Sequence, residues 1–415
     1  MRLNVTSEIG KLKSVLVHLP GREIDLMVPP MMAQLLFDDI LYGQVAREEH
    51  RRFQQLIRYI ADDVYDVQDL MEEMFDDADI RRRVVRDLAR KLGLGRKLVG
   101  SLLELRPGAL AEVLIAGIAR DTASGALPQF DLPPIPNFFF MRDPQVVIGD
   151  GVVISSMATN ARHRESLLSK YVFEHHPAFR TRNLFLVDLT PPRRGTPSIE
   201  GGDVLVPSRD LVMVGVSERT NKLGVESLIR SLKSSSSVTS VIIVEMPKTR
   251  SMMHLDTVFT FINRNECLIY PPVILPGGGQ AAKVTTVDLT KKRTEAYSSQ
   301  KSLLGALKKK GFDLDPIYCG GKKAVDQQRE QWTDGANAFA LAPGIILMYE
   351  RNVRTAEELG KHGYHILYED DLLLGRNELE TWTDKKYALQ IAGNELSRAR
   401  GGPRCMTMPL EREDV

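Results

Sequence analysis

Cysteine is scarce in this chain: 415 residues contain three thiols, Cys267, Cys319 and Cys405. Three thiols exclude a disulfide scaffold, since any pairing leaves one over. Their separations of 52 and 86 residues (319 − 267 and 405 − 319) match no zinc-binding spacing. Net charge is nearly absent as well. The 55 basic and 54 acidic residues leave +1, so no global field favours nucleic acid or an anionic membrane. No apolar run reaches membrane-spanning length. Residues 1–8 lack the apolar segment of a signal peptide, and residues 411–415 carry no lipidation signal. A reducing cytoplasm is the expected compartment. What is present, 43% hydrophobic and 26% charged residues, suits a globular chain with a large core or more than one domain.

Residues 13–18 read as a buried strand stopped by Pro20-Gly21. From Met31 to Ile60 the pattern is helical, with Leu56, Ile57 and Ile60 on one face. Residues 64–67 look like a short strand. From Asp69 to Arg120 every segment reads as helix. Leu70 and Met74 are four apart; Val84, Val85, Leu88 and Leu92 make one stripe, and Leu110, Val113, Leu114 and Ile118 another. The expected organisation is an inserted helical domain over residues 69–126 within a main domain of residues 1–68 and 127–415. A surface or oligomerisation role is the default for that insertion.

A repeat then appears. Asp143, Asp203, Asp256 and Asp334 each precede two short apolar runs separated by a turn: 145–148 and 152–154, 204–206 and 211–214, 258–262 and 267–270, 338–341 and 345–348. Each pair predicts a β-hairpin. A helix and a strand are expected after each: near 161–175 and 184–187, 222–232 and 241–244, 298–310 and 315–318, 356–361 and 365–368. A hairpin-helix-strand unit recurring at 53 to 78 residues (256 − 203 and 334 − 256) signals a closed radial array. The opening strand and helix, joined to the segment around Cys405, complete a fifth unit. About such an axis, Asp143, Asp203, Asp256 and Cys405 converge on one cavity. Asp334 shares their position without a chemical role.

Four clusters carry the chemistry. They are Asn137-Phe138-Phe139-Phe140-Met141-Arg142-Asp143-Pro144, Ile199-Glu200-Gly201-Gly202-Asp203, Met253-His254-Leu255-Asp256-Thr257 and Arg398-Ala399-Arg400-Gly401-Gly402-Pro403-Arg404-Cys405-Met406. In the last, three arginines beside a thiol favour its thiolate form, although a buried, inert cysteine is the commoner fate. His254 and Asp256 are two apart, so on an extended strand they face the same side. That pair lacks a convincing third metal ligand. A cysteine, a histidine and several carboxylates suit attack on a guanidinium. The cation is planar and pairs bidentately with carboxylates. A thiolate can add to its carbon, and a histidine can protonate the departing nitrogen and then activate water.

With those motifs in that order, the chain resembles the bacterial arginine deiminases of the guanidine-modifying superfamily, from Ser7-Glu8-Ile9-Gly10-Lys11-Leu12 through to Cys405-Met406. The resemblance implies an α/β fold, a five-bladed α/β-propeller of the pentein type with an inserted helical domain. It implies hydrolysis of free L-arginine to L-citrulline and ammonia through a covalent thiouronium on cysteine, with no metal and no organic cofactor. Assembly as a homodimer or homotetramer is expected. Carried over by position, Cys405 matches the nucleophile and His254 the general acid and base. Asp143 and Asp256 match the carboxylates gripping the guanidinium, and Glu200 the acid supporting the histidine. Arg162 and Arg219 match the groups binding the substrate α-carboxylate. Asn137 and Arg400 match further substrate contacts, with Arg400 on a loop that gates the site. Asp203 is expected to serve its own unit. Leu19, in His18-Leu19-Pro20-Gly21, stands where the family usually has arginine, far from the motifs.

Other features read as ordinary structure. Gly277-Gly278-Gly279-Gln280 lacks the rest of a phosphate loop. Arg81-Arg82-Arg83 is an exposed helix face, Ser234-Ser235-Ser236-Ser237 a solvated turn, His362 and His365 surface histidines, and Cys267 and Cys319 inert. Two alternatives remain: the same thiol chemistry on agmatine, a methylarginine or in amidino transfer, and a non-catalytic arginine-binding protein.

Overall fold

The computed structural model describes residues 1–120, 128–179, 185–188, 197–292, 296–381 and 383–415. Five sheets repeat one pattern, an antiparallel pair whose second strand takes a parallel partner. β5 (Gln145–Ile148), β6 (Gly151–Ile154) and β7 (Phe185–Asp188) form the first in chain order. β8 (Val204–Ser208), β9 (Leu211–Val216) and β10 (Ser240–Glu245) form the next, and β11 (Phe259–Asn263), β12 (Glu266–Ile269) and β15 (Asp315–Tyr318) a third. In the fourth, β16 (Phe339–Ala342) and β17 (Ile345–Tyr349) are followed by β19 (Lys386–Ile391). The fifth joins the two ends of the chain: β20 (Met408–Arg412) runs antiparallel to β1 (Leu12–Val17), which pairs in parallel with β2 (Asp63–Asp66). A small sixth sheet pairs β3 (Ile118–Ala119) with β4 (Phe130–Leu132).

The hairpin strands are buried on both faces, which explains their continuous apolar runs. The helices that cross back are set by local signals. Asn221 accepts from the Gly224 N–H and opens the helix Lys222–Ser235, and Ser302 does the same for Leu303–Lys308; such caps satisfy donors that lack an intrahelical partner. The helix Gly43–Ile57 buries Ala46, Phe53, Leu56 and Ile57, each large side chain contributing roughly 1.5–3 kcal/mol.

Residues 67–116 form four helices, Val67–Phe75, Ala78–Leu92, Arg96–Glu104 and Pro107–Ala116. Their stripe residues Leu70, Met74, Val84, Leu88, Leu110 and Leu114 share one core with β5, β6 and the helix His163–His175. The expected boundary at 126, and Leu184 at the head of an expected strand, lie outside the described residues.

Several expectations need correction. Met31 to Ile60 is not one helical stretch: a short helix Met32–Leu35 ends at Leu36, whose φ of +57° leaves the helical region, before Gly43–Ile57 begins. Tyr297–Gln300 is a strand, β14, not the start of a helix; it extends the second sheet through β13 (Lys283–Asp288). The strand Tyr364–Tyr368, β18, sits at the outer edge of the fourth sheet, because β19 takes the place beside β17. Ser234 and Ser235 close a helix and are not part of a turn.

Candidate active site

Each sheet presents a candidate site residue or its positional equivalent just ahead of its first strand. Asp143 precedes β5, Glu200 and Asp203 precede β8, Asp256 precedes β11, Asp334 precedes β16 and Cys405 precedes β20. Short 3-10 turns hold most of them: Pro136–Phe139, Gly201–Asp203, Leu255–Thr257 and Leu396–Ala399. His254 and Asp256 therefore do not lie on an extended strand. His254 precedes a turn in which Thr257 donates to its carbonyl (Oγ1–O 2.7 Å). Asp203 Oδ1 accepts from the Leu255 N–H at 2.9 Å, so it fixes the backbone beside His254. Two glycines admit close approach. A Cβ on Gly202 would stand 2.7 Å from the His254 ring, and one on Gly401 would stand 2.2 Å from the Phe140 ring.

One narrow cavity gathers Asn137, Asp143, Arg162, Arg219, His254, Arg400 and Cys405. Glu200 and Asp256 stand directly behind them. Glu200 Oε2 is 2.9 Å from His254 Nε2, and Asp256 Oδ2 is 3.9 Å from Cys405 Sγ. All nine expected site residues are thus brought together, and each is buried. About 20 Å³ of the cavity is open to water, room for roughly one molecule.

The charges pair in a defined order. Arg162 reaches Asp143 Oδ2 at 2.7 Å, Glu165 Oε2 at 2.8 Å and Glu200 Oε2 at 3.6 Å. Arg404 reaches Asp256 Oδ2 at 2.7 Å and Glu8 Oε2 at 3.1 Å. Each aspartate thus has one oxygen held by an arginine of the chain. The other oxygens, Asp143 Oδ1 and Asp256 Oδ1, are buried without a hydrogen-bond partner; Asp143 Oδ1 has only the His254 ring, Nδ1 at 3.6 Å. Arg219 Nε, and Nε and Nη1 of Arg400, are likewise buried without a hydrogen-bond partner; Arg219 Nε has the Glu218 carboxylate at 3.9 Å. Arg400 lies over the Trp332 ring, Cζ 3.5 Å from its centroid.

These pairings set the protonation states. Burial opposes charge on His254, but Asp143, the Glu200 hydrogen bond and Asp203 outweigh it and raise the imidazole to about 9. Burial pushes Glu200 up, and His254, Arg219 and Arg162 bring it below the ordinary carboxylate range. Burial raises Cys405 well above an ordinary thiol; Asp256, Asp143 and Asp334 raise it further, and Arg404 offsets them in part. This corrects the expectation that three neighbouring arginines favour the thiolate. Arg398 turns away to Asp39 and Glu395, and the charge of Arg404 is shared with Glu8 and Asp256. Asp143, Glu200 and His254 each offer a ligand atom within 4.8 Å of the others, the one such group among the described residues.

Some of the machinery was not legible beforehand. Asn337 accepts from the Cys405 N–H (3.0 Å) and donates to the Asp256 carbonyl (3.1 Å). Glu8 and Glu165 supply the second carboxylates of the two arginines. Arg250 donates to the Leu36 carbonyl at 3.2 Å and to Asp38 at 2.8 Å, and Asn137 donates to the Leu35 carbonyl at 2.7 Å. Together they pin the turn that brings Leu36 over the cavity. The Thr333-Asp334-Gly335-Ala336-Asn337 turn was the only sequence signal for Asn337.

Known proteins resemble this chain along its whole length. The family model described as arginine deiminase matches residues 33–106 and 118–412. The arginine deiminase of Clostridium perfringens is 34% identical over 435 residues, covering 100% of this chain and 98% of that protein. That of Limosilactobacillus fermentum is 35% identical over 439 residues, covering 100% and 99%. Among solved structures, the N-terminal domain of ArgZ, captured covalently bonded to a reaction intermediate, covers 96% of this chain and 98% of its own at 15% identity and a TM-score of 0.51. It shares the α/β fold.

Proposed function

Since the chain belongs to the arginine deiminase family, we propose that its site hydrolyses free L-arginine to L-citrulline and ammonia. The observation that carries this reading is the pair of buried oxygens, Asp143 Oδ1 and Asp256 Oδ1, without hydrogen-bond partners beside a thiol. A buried carboxylate oxygen left unpaired is costly, and a planar guanidinium offers donors to both at once.

Each residue then has a role. Asp143 and Asp256 hold the guanidinium and keep it cationic. Its arrival brings the positive charge that the Cys405 thiol lacks, so the S–H proton passes to solvent as the guanidinium binds. The thiolate adds to the guanidinium carbon, His254 gives its proton to the departing nitrogen, and ammonia leaves a thiouronium on Cys405. His254, now neutral, takes a proton from water as that water attacks; collapse releases citrulline while the remaining hydroxyl proton passes to sulfur and restores the Cys405 thiol. Glu200 holds His254 in orientation. Arg219, whose Nε has no hydrogen-bond partner, supports binding of the substrate α-carboxylate, assisted by Arg162 and Asn137, with Arg400 as the gate over the site.

The five like sheets, each with a site residue ahead of its first strand, support a five-bladed propeller, with residues 69–126 as its helical insertion. Among the described residues no helix is long and apolar enough to cross a membrane. A nucleophile that must stay reduced supports a cytoplasmic setting, and we expect a homodimer or homotetramer there. The test is direct. Incubate the protein with free arginine, agmatine and a methylated arginine, and assay ammonia and the citrulline-type product. Citrulline from arginine alone supports this reading; no turnover of any guanidine overturns it.

A further inference from the structure

Asp334 is the odd member of the repeated set. It sits in the turn after the helix Ala324–Trp332 and adopts φ +62°, a left-handed conformation that disfavours most side chains. It is 3% exposed, and its Oδ2 has no hydrogen-bond partner. Two residues earlier, Trp332 is 46% exposed and carries the guanidinium of Arg400 on its ring at 3.5 Å. Arg400 adopts φ +66°, is 7% exposed, and leaves Nε and Nη1 unpaired. A buried anion and a buried cation therefore face one turn with donors and acceptor unmatched. Each feels the other. Asp334 is the first of the charges that raise Arg400, and Arg400 the first that lower Asp334, against the effect of burial on both.

Arg400 also lines the cavity with Cys405, and the open volume of about 20 Å³ is far too small for an arginine molecule. Lining side chains have to move for substrate to enter, and Arg400 is the one with two buried donors unpaired. We propose that Asp334 and Trp332 form the seat that receives Arg400 when the site opens. The guanidinium moves along the indole face until its N–H groups meet Asp334 Oδ2, which satisfies both sets of unpaired atoms and uncovers Cys405. Asp334 is then a positioning residue, acting on the reaction through Arg400 and not on the substrate. The inference rests on the functional reading above.

An arginine competent to move only into an unpaired seat binds substrate more weakly, because the open state is less populated. Asp334→Asn should raise KM for arginine roughly ten- to hundredfold, the worth of one charged hydrogen bond, and change kcat less than about threefold. Trp332→Ala, at a half-exposed position, should raise KM in the same direction without loss of fold. In an Arg400→Gln background, Asp334→Asn should add less than about twofold. Multiplying effects in that double variant, or an unchanged KM in folded Asp334→Asn, would overturn the seat. A second measurement avoids turnover: in Cys405→Ser carrying Trp382→Phe, Trp332 is the sole tryptophan. Titration with arginine should shift its emission, and Asp334→Asn should abolish the shift. An unaltered response overturns the proposal. Absence of turnover in the wild-type protein, with the emission shift intact, would instead overturn the functional reading alone.

Discussion

Arg404 and Asp256 form a 2.7 Å ion pair inside the protein, and Asp256 is the carboxylate 3.9 Å from the Cys405 thiol. Glu8 stands on the other side of Arg404. A single buried guanidinium thus aligns Asp256, while its peptide neighbour is Cys405. Glu8→Gln should weaken that clamp. Breaking a buried pair while its partner stays charged costs about 3 kcal/mol, so the urea midpoint should fall measurably. Activity should fall with it, as Asp256 loses its fixed direction. An unchanged midpoint would show that Arg404 needs only Asp256.

Cys405→Ser should lose citrulline formation by roughly four orders of magnitude or more. The residue is 5% exposed, and serine is close in size, so thermal melting should shift little. Steady-state assay and calorimetry on one preparation check both halves.

The proton on His254 sets an alkaline limit. Its folded-state value of about 9 lies above the ordinary imidazole value near 6.5. The acid needed for ammonia departure is present below that range and lost as pH rises through about 9. A kcat profile should descend there. Glu200→Gln removes one support of the imidazolium and should move the descent to lower pH; a fixed descent would point to another group.

Gly202→Ala places a methyl 2.7 Å from the His254 ring. Either the ring or the loop has to shift, and a displacement of about 1 Å in a catalytic group costs on the order of a hundredfold in rate. kcat should carry the loss, with KM little changed.

Away from the site, His18 is fully buried between Glu23 (3.2 Å) and Asp66 (3.3 Å). Burial opposes its charge, and Asp66 and Glu23 overcome this to raise it to about 10. Being raised, it stabilises fully below about pH 6.5, and that contribution disappears as pH passes through about 10. His18→Ala strands two acids and should cost about 3–5 kcal/mol at pH 6, with a smaller penalty at pH 10. Denaturant midpoints at the two values measure the difference.

The site was legible where its residues travel with their own turn. Glu200 is marked by the Gly-Gly that lets His254 approach, and Cys405 by the Gly-Gly before it. Partners that arrive through space left no local mark: Glu8 meets Arg404 across 396 positions, and Arg250 meets Asp38 across 212. The hairpins were legible because they are apolar on both faces. β13 and β14 were not, since Lys283, Thr285, Thr286 and Ser298 give a sheet edge the polarity of a loop or a solvated helix. The charge state of Cys405 stayed open in the sequence because nearby residues count only cations, whereas the fold turns carboxylates toward the sulfur.

The pairing of β1 with β20 sets Leu12 opposite Arg412. Closing a loop of that length is entropically unfavourable and slow to occur by chance. Cys405 lies three residues ahead of β20, so closing this seam carries the thiol to Asp256. Refolding should therefore pass through a stage in which the other sheets have formed while Cys405 still reacts freely with an alkylating reagent. Burial of that thiol would serve as a clock for the closing step, and catalytic competence would return on the same clock.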